Sequence, residues 1–280
     1  MSITASDVKK LRDITGAGMM DCKKALSEAG GDHEKAIEIL RKKGQKLSAK
    51  RADREAKEGV VIAKTTENRN NGVLVKLSCE TDFVAKGEGF VDLAKTITDI
   101  ALKNLPDSKD ALLALPFDDS LSIGEKVVEQ VGVIGEKVEV DDYAKLETAA
   151  GEGQVLSYIH MGYKAGVIVS LNLEGPQFMD GGRDVAMQVA AMKPIAVDKD
   201  GVDSTVVEKE IEIGKEIARK EGKPEEMLER IATGKLNKFF KENTLLNQAF
   251  VKDGKQSVRD YLKSMDPNLT VVDFKHIKLG

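Results

Sequence analysis

Gly72-Val73-Leu74-Val75-Lys76-Leu77 and Gly166-Val167-Ile168-Val169-Ser170-Leu171 are two similar apolar stretches that begin 94 residues apart. Both are rich in β-branched residues, and each has the length of one buried strand. Their similarity indicates an internal repeat, in which one supersecondary unit occurs twice along the chain.

The surroundings of the two stretches are also alike. Possible strands at residues 59–64 and 154–159 precede them, and Asn70-Asn71 and Gly162-Tyr163-Lys164 are suited to the hairpin turns between. Apolar residues at helical spacing follow: Phe90, Leu93, Ala94, Ile97, Ile100 and Ala101 in the first copy, and Val185, Ala186, Val189 and Ala190 in the second. The repeated order of strand, turn, strand and helix predicts an α+β core made of two related subdomains.

Other segments add to this core. Val138, Val140 and residues 270–274 are candidates for further strands, and residues 106–116 for a connection with a short helix. Residues 204–240 have the pattern of a helical hairpin, with Gly222-Lys223-Pro224 as the stop and restart between its helices. The expected contact faces are Val207, Ile211, Gly214 and Ala218 on one helix, and Leu228, Ile231, Lys235 and Phe239 on the other. We favour a projecting arm over a hairpin that folds back on its own core.

Residues 4–43 have the pattern of three short helices. Thr4 and Asp7 match a capping box, and Asp32 is suited to cap the third helix. The residues expected to face inward are Val8, Leu11 and Ile14, then Ala25, Leu26 and Ala29, then Ala36, Ile37 and Leu40. Met19 and Met20 start the second helix, and adjacent residues cannot both face one core. Either one is buried and the other idle, or both form a polarizable contact patch for a partner.

The loop Cys79-Glu80-Thr81-Asp82-Phe83-Val84 lies where a strand ends and a helix is about to begin. The corresponding residues of the second copy are near Gly175-Pro176-Gln177-Phe178, so the Thr-Asp pair occurs once only. Residue types alone favour a turn capped by Thr81 or Asp82, with Phe83 packed under the following helix. The alternative is a side chain that is pushed into a partner protein.

Composition excludes several classes of function. A net charge of −4, a pI near 5.6 and 4% aromatic residues argue against nucleic acid as a direct ligand. The basic stretch at residues 41–57 is interpreted as a solvated helix and linker. His33, His160 and His276 lack ligand spacing, so neither a metal nor another cofactor is expected. Cys22 and Cys79 suit reduced thiols, and with no apolar run for a membrane span or leader we expect a cytoplasmic protein.

Two longer motifs occur in order along the chain. They are Thr-Gly-Ala-Gly-Met-Met-Asp-Cys-Lys-Lys-Ala-Leu at 15–26 and Glu-Thr-Asp-Phe-Val-Ala-Lys at 80–86, with support from Ile134-Gly135-Glu136, Ser157-Tyr158-Ile159-His160 and residues 206–210. On these residues the chain resembles the bacterial translation elongation factor Ts family over nearly its whole length. The resemblance implies a ubiquitin-associated-type helical domain and linker over residues 1–55, a core subdomain over 56–143, and a second over 144–280 with an antiparallel coiled-coil hairpin inserted at about 204–240.

The resemblance also implies a function, which is guanine-nucleotide exchange on the GTPase elongation factor Tu. In that family an Asp-Phe pair enters the nucleotide-binding domain of the GTPase, where the Phe wedges between two helices and disturbs the Mg²⁺ and phosphate sites. Carried over, Asp82 and Phe83 are the wedge, and Thr81 and Val84 shape its loop. Phe83 is then expected to be exposed in the free protein. No chemical step is implied, so the chain is expected not to be an enzyme.

Further contact residues follow from the same resemblance. Met19, Met20 and Lys23 would meet the nucleotide-binding domain, and Ile134 would lie near the wedge. The remaining two, His160 and Val251, would touch the third domain of the GTPase. The segment around His160 has one residue more than the family pattern, and a C-terminal helix that some members carry is expected to be missing here.

Two other functions compete with exchange. The helical domain and the hairpin could serve a non-catalytic scaffold, which would bind elongation factor Tu or another partner without speeding nucleotide release. Cys79 with His160 could alternatively form a thiol enzyme. The sequence of the hairpin does not decide the oligomeric state, and both a homodimer and a complex of two copies with two GTPases remain as alternatives.

Overall fold

Three helices form the N-terminal part of the computed structural model, which describes residues 3–280. They are α1 (Ala5–Thr15), α2 (Met19–Glu28) and α3 (His33–Lys50). Thr4 and Asp7 form the predicted capping box of α1, and Asp32 caps α3. A small core lies between the three helices and contains Val8, Leu11, Ala17, Cys22, Ala25, Leu26 and Ala36. The basic stretch that follows is largely the continuation of α3, as interpreted from the sequence.

The expectation that Ile14 shares this core is wrong, because its side chain is exposed. With 3.6 residues per turn, Ile14 lies about 120° around the helix from Val8. Thr15 takes the inward position instead, and its hydroxyl donates to the Leu11 carbonyl oxygen at 2.8 Å.

The next part of the chain folds into a three-stranded antiparallel sheet with helices. Its elements are β1 (Glu58–Thr65), β2 (Asn71–Cys79), α4 (Asp82–Ala85), α5 (Glu88–Asn104), α6 (Lys109–Ala114), α7 (Ile123–Ile134) and β3 (Val138–Glu147). The strand order is β1-β2-β3. The short helix expected within residues 106–116 is α6, and the strand expected at Val138 and Val140 is β3.

The last part of the chain repeats this arrangement with a longer interruption. Its elements are β4 (Gln154–Ile159), β5 (Ala165–Leu171), α8 (Met179–Met192), α9 (Ser204–Lys220), α10 (Glu225–Asn243), β6 (Ala249–Phe250), β7 (Asp253–Ser257), α11 (Val258–Met265) and β8 (Val271–Lys278). The strand order is β4-β5-β8, and β6 and β7 form a separate small hairpin. The α+β class is therefore confirmed, whereas the domain boundaries at residues 55 and 143 stay predictions.

The repeat extends to the third strand of each sheet. The pairing of β2 with β3 shifts register between Lys76 and Leu77, and the pairing of β5 with β8 shifts between Ser170 and Leu171. These are corresponding positions in the two copies. Such irregularities bend a strand locally, so the two sheets bend at the same point.

The two sheets pack face to face. Because side chains alternate along a strand, Val60 and Ile62 point toward α5 while Val61 and Ala63 point toward the other sheet. The glycine that begins each of the two similar stretches marks a close approach of the sheets: a Cβ on Gly72 would lie 2.6 Å from Val155, and one on Gly166 would lie 2.8 Å from Val61. This contact is reciprocal between the copies, and it explains why glycine begins both stretches.

The predicted helical hairpin consists of α9 and α10. Gly214 and Ala218 are buried on the expected face of α9, and a Cβ on Gly214 would lie 3.1 Å from the Cα of Ala232. On α10 the buried residues are Leu228 and Ala232. The contact face therefore differs from the expected one by including Ala232, whose small side chain permits the close approach of α9. Pro224 is the N-cap of α10 and not part of its first turn.

Candidate functional site

The loop between β2 and α5 contains the shortest α-helix of the described chain. Thr81 is the N-cap of α4, and its Oγ1 accepts a hydrogen bond from the backbone N–H of Val84 at 3.5 Å. The prediction that Thr81 caps a turn is confirmed. Ala85 is buried at the end of this helix and anchors it to the core of the first sheet.

Phe83 is 84% exposed, so the expectation that it packs under the following helix is wrong. Ala85 and Phe90 occupy the buried positions beneath this part of the chain. In a helix, residues two apart lie on roughly opposite sides, and burial of Ala85 therefore turns Phe83 outward. The exposure implied by the family resemblance is confirmed.

Asp82 lies beside Phe83 and keeps its negative charge. Lys86 Nζ donates to its Oδ2 at 2.6 Å, and this hydrogen bond lowers the pKa of Asp82. The loop thus presents an apolar ring next to a partly exposed ion pair. An aromatic side chain with such a polar neighbour is suited to enter a pocket in another protein.

Two carboxylates join the loop to the segment after α7. Glu136 accepts hydrogen bonds from the backbone N–H of Thr81 at 3.0 Å and from its hydroxyl at 2.7 Å. Glu80 accepts from the backbone N–H of Lys137 at 2.6 Å and from Arg51 at 2.5 Å. These bonds lower the pKa of Glu80, that from Lys137 most. The sequence offered Ile134-Gly135-Glu136 as a family mark only, and this contact was not predicted.

Ile134 is half-buried at the end of α7. It packs on the same core as Val84, so two of the predicted contact residues share one part of the molecule. Gly135 follows in the left-handed conformation with φ 82°, which ends α7 and turns the chain back toward the loop.

The two methionines of α2 are both exposed, Met19 by 42% and Met20 by 64%. The inward positions of this helix are filled by Cys22, Ala25 and Leu26 instead. Lys23 is exposed on the same helix. The interpretation that buries one methionine is therefore wrong, and an apolar surface patch remains at the start of α2.

His160 and Val251 line a groove at the second sheet. His160 Nδ1 is 3.2 Å from the Tyr158 hydroxyl, and the backbone N–H of Val251 donates to Gln188 Oε1 at 2.7 Å. The groove is also lined by His276 and by four lysines, Lys164, Lys193, Lys252 and Lys278. Burial and the positive charges of Lys193 and Lys278 lower the pKa of His276. The structure thus brings two predicted contact residues together in a basic groove.

The geometry opposes the thiol-enzyme interpretation. Cys79 is buried, and desolvation together with the nearby charge of Glu136 raises the pKa of its thiol to about 12. A nucleophilic cysteine needs a lowered pKa. Because the pKa of Cys79 is raised instead, its thiolate is not populated near neutral pH. Across residues 3–280 no three His, Cys, Asp or Glu side chains are grouped as metal ligands, and among the helices described none is long and apolar enough to cross a membrane.

Comparison with known proteins gives one consistent family. A sequence model of elongation factor Ts matches residues 80–280. The chain is 52% identical over 280 residues to elongation factor Ts of Cytophaga hutchinsonii, which covers 100% of this chain and 99% of that protein. It is 50% identical over 278 residues to elongation factor Ts of Christiangramia forsetii, with 99% of each chain covered. Elongation factor Ts of Flavobacterium psychrophilum is 50% identical over 279 residues, covering 100% of this chain and 99% of that protein.

Proposed function

The chain belongs to the elongation factor Ts family, and from this we propose that it is the guanine-nucleotide exchange factor of elongation factor Tu in translation elongation. Residues 81–84, which we name the exchange loop, enter the nucleotide-binding domain of the GTPase. Phe83 wedges between two helices there, and GDP leaves. The exchange factor itself makes and breaks no covalent bond, and its compartment is the cytoplasm, where translation takes place.

The exposure of Phe83 is the observation that carries this proposal. A phenylalanine that is 84% exposed leaves most of its apolar ring in water. Moving that ring into a pocket is favourable by about 1.5–3 kcal/mol for a fully buried side chain. An aromatic anchor of this kind is typical of the few residues that carry most of the binding energy of an interface.

Nucleotide release follows from a small displacement in the partner. Mg²⁺ joins the nucleotide phosphates to side chains of the GTPase, and its ligand geometry is strict. If the wedge displaces these ligands and removes about 4 kcal/mol of nucleotide affinity, GDP binds roughly a thousandfold more weakly. Linkage requires the reverse as well: bound nucleotide weakens the binding of the exchange factor to the GTPase to the same extent, so exchange is reversible.

The other predicted contacts extend the interface around the wedge. Met19, Met20 and Lys23 of α2 contact the nucleotide-binding domain, where flexible methionines adapt to the partner surface. Ile134 contributes beside the wedge. At the second sheet, His160 and Val251 contact the third domain of the GTPase through the basic groove. Light scattering of the free protein and of the complex tests the homodimer and the complex of two copies with two GTPases.

Replacement of Phe83 tests the proposal directly. Phe83→Ala removes the exposed ring, and release of fluorescent GDP from elongation factor Tu should slow by at least about tenfold, a loss of about 1.4 kcal/mol. Val272→Ala is the matched control, because Val272 is an exposed apolar residue of β8. Unchanged release with Phe83→Ala contradicts the wedge. Tight binding of the unaltered protein without faster release would favour the scaffold.

A further inference from the structure

The exchange loop cannot be held in place by its own helix. α4 has four residues, whereas isolated helices shorter than about 12 residues are marginal in water. The capping bond from Val84 to Thr81 is 3.5 Å long, beyond the usual range for a good hydrogen bond. Phe83 is almost free of packing contacts because it is exposed. Its direction is therefore set through the backbone, by what holds Thr81 at the start of α4 together with the buried Ala85 at its end.

Glu136 supplies that support. Its Oε2 accepts from the Thr81 backbone N–H at 3.0 Å, and its Oε1 accepts from the Thr81 hydroxyl at 2.7 Å. Hydrogen bonds to a carboxylate are roughly twice as strong as neutral ones. Because the Thr81 hydroxyl proton goes to Glu136, a lone pair of Oγ1 is directed to the Val84 N–H. The carboxylate thus fixes both the backbone before α4 and the cap of α4.

Glu80 completes a reciprocal pair of contacts. Its side chain binds the backbone N–H of Lys137, next to Glu136, while the side chain of Glu136 binds the backbone next to Glu80. Arg51, which follows α3, binds Glu80, and Lys137 Nζ donates to the Ala52 carbonyl oxygen at 3.1 Å. The base of the exchange loop, the end of α7 and the end of α3 therefore meet at two carboxylates.

We propose that Glu136 is a positioning residue for nucleotide exchange, which holds Thr81 so that Phe83 projects in the direction required for entry into the GTPase. This inference rests on the proposed function of the exchange loop. A loop ordered in advance loses less conformational freedom when it binds, so more of the interface energy is available for displacing nucleotide. Glu136 acts through Thr81 and need not touch the partner.

The test uses Glu136→Gln, which keeps the size of the side chain and removes its charge and one acceptor. Stimulated release of fluorescent GDP should fall by about tenfold, as expected when charge-assisted hydrogen bonds weaken. Amide hydrogen exchange in the free protein supplies a readout independent of the GTPase. The amides of Ala85 and Lys86, which bond within α4 to Thr81 and Asp82, should exchange about tenfold faster as α4 opens more often.

Controls separate this role from a general loss of structure. Glu152→Gln removes the same charge from an exposed loop before β4, and both readouts should stay at the wild-type value. Thr81→Val removes the hydroxyl that Glu136 binds, so the two substitutions should be strongly non-additive. Full additivity overturns the inference. If the Glu136→Gln variant does not fold, Thr81→Val alone provides the test. It must slow GDP release and speed the exchange of the same amides, and wild-type values of both would overturn the inference.

Phe83→Ala in the same release assay distinguishes a failure of the positioning role of Glu136 from a failure of the proposed exchange function. If Phe83→Ala slows release while Glu136→Gln changes neither release nor amide exchange, the positioning role is wrong and the exchange function stands. If Phe83→Ala leaves release unchanged, the proposed wedge fails, and with it the positioning role in exchange.

Discussion

Phe83 and Phe178 both lie between the second strand of a sheet and the long helix that covers it, yet one is 84% and the other 5% exposed. In the second copy, a short turn at Pro176–Phe178 runs directly into α8, and Phe178 is buried beneath it. In the first copy, α4 ends before α5 begins, and this separate turn directs Phe83 outward. The same framework therefore uses one phenylalanine for its core and leaves the other exposed.

The two loops also differ in what holds them. Gln154 exchanges two neutral hydrogen bonds with Gly175, at 3.2 and 3.3 Å, before Phe178. Glu136 holds Thr81 with a charged carboxylate, at 2.7 and 3.0 Å. A buried aromatic ring is kept in place by its own packing, so a neutral amide is sufficient there. An exposed ring has no such packing, and stronger backbone support takes its place.

The largest expected effect is the difference in stability loss between substitutions of the two phenylalanines. Phe178→Ala leaves a cavity in the second core and should lower the free energy of unfolding by about 3–5 kcal/mol. Phe83→Ala removes an exposed ring and should change it by less than about 0.5 kcal/mol. Urea unfolding of the free protein measures both. Equal losses would show that Phe83 is packed in solution, and the contrast between the copies would be lost.

A smaller effect concerns the contact that holds the N-terminal helices on the first copy. A Cβ on Gly132 of α7 would lie 2.9 Å from the Cα of Gly44 on α3, so Gly132→Ala must separate the two helices. Alanine has a higher helix propensity than glycine, and this gain offsets part of the cost of separating the helices. We therefore expect a net loss of about 1–2 kcal/mol in unfolding free energy. Gly234→Ala on α10 is the control, since its added Cβ meets open space. It should be neutral or stabilising, and a loss as large as that of Gly132→Ala would contradict the close crossing.

The smallest effect uses pH to distinguish the copies. The pKa of His276, at the second sheet, is lowered by burial and by Lys193 and Lys278. Its contribution to stability is present above its unfolded pKa of about 6.5 and is lost as pH falls through the lower folded value. Glu80, at the exchange loop, also has a lowered pKa, but from an unfolded value of about 4.3. Its contribution is lost only in more acidic solution.

Urea unfolding at a series of pH values checks this order. His276→Gln should flatten the decrease in stability between about pH 7 and 5, and Glu80→Gln should flatten only the part below about pH 4.5. A reversed order would mean that the charges assigned to these two groups are wrong.

Local patterns in the sequence were sufficient for much of the fold. The repeated strands, the helices that cover them, the capping box at Thr4 and the hairpin all follow from spacing and turn residues, because these signals act over a few positions. The family motif then led to Phe83. Ile14 was wrongly placed because its spacing fits a helical face only approximately, and Ala232 was missed because a small residue gives little apolar signal.

The support of the exchange loop could not be predicted in the same way. Glu136 and Thr81 are 55 residues apart, and nothing local to either residue indicates the other. The burial of Phe178 likewise depends on how α8 lies on its sheet. Contacts of this kind are decided by tertiary packing, and the sequence offered only indirect signals for them, such as the repeat and the family motif around Glu136.

The long sequence separation between Glu136 and the exchange loop also has a consequence for synthesis on the ribosome. The strand β2 and the exchange loop emerge first, but Thr81 lacks its partner until α7 and Glu136 have followed. At roughly 5–20 residues per second, that interval is several seconds. During it the nascent chain holds an exposed Phe83 without a fixed orientation. Thr81 therefore gains this partner only after about half of the 280-residue chain has been made.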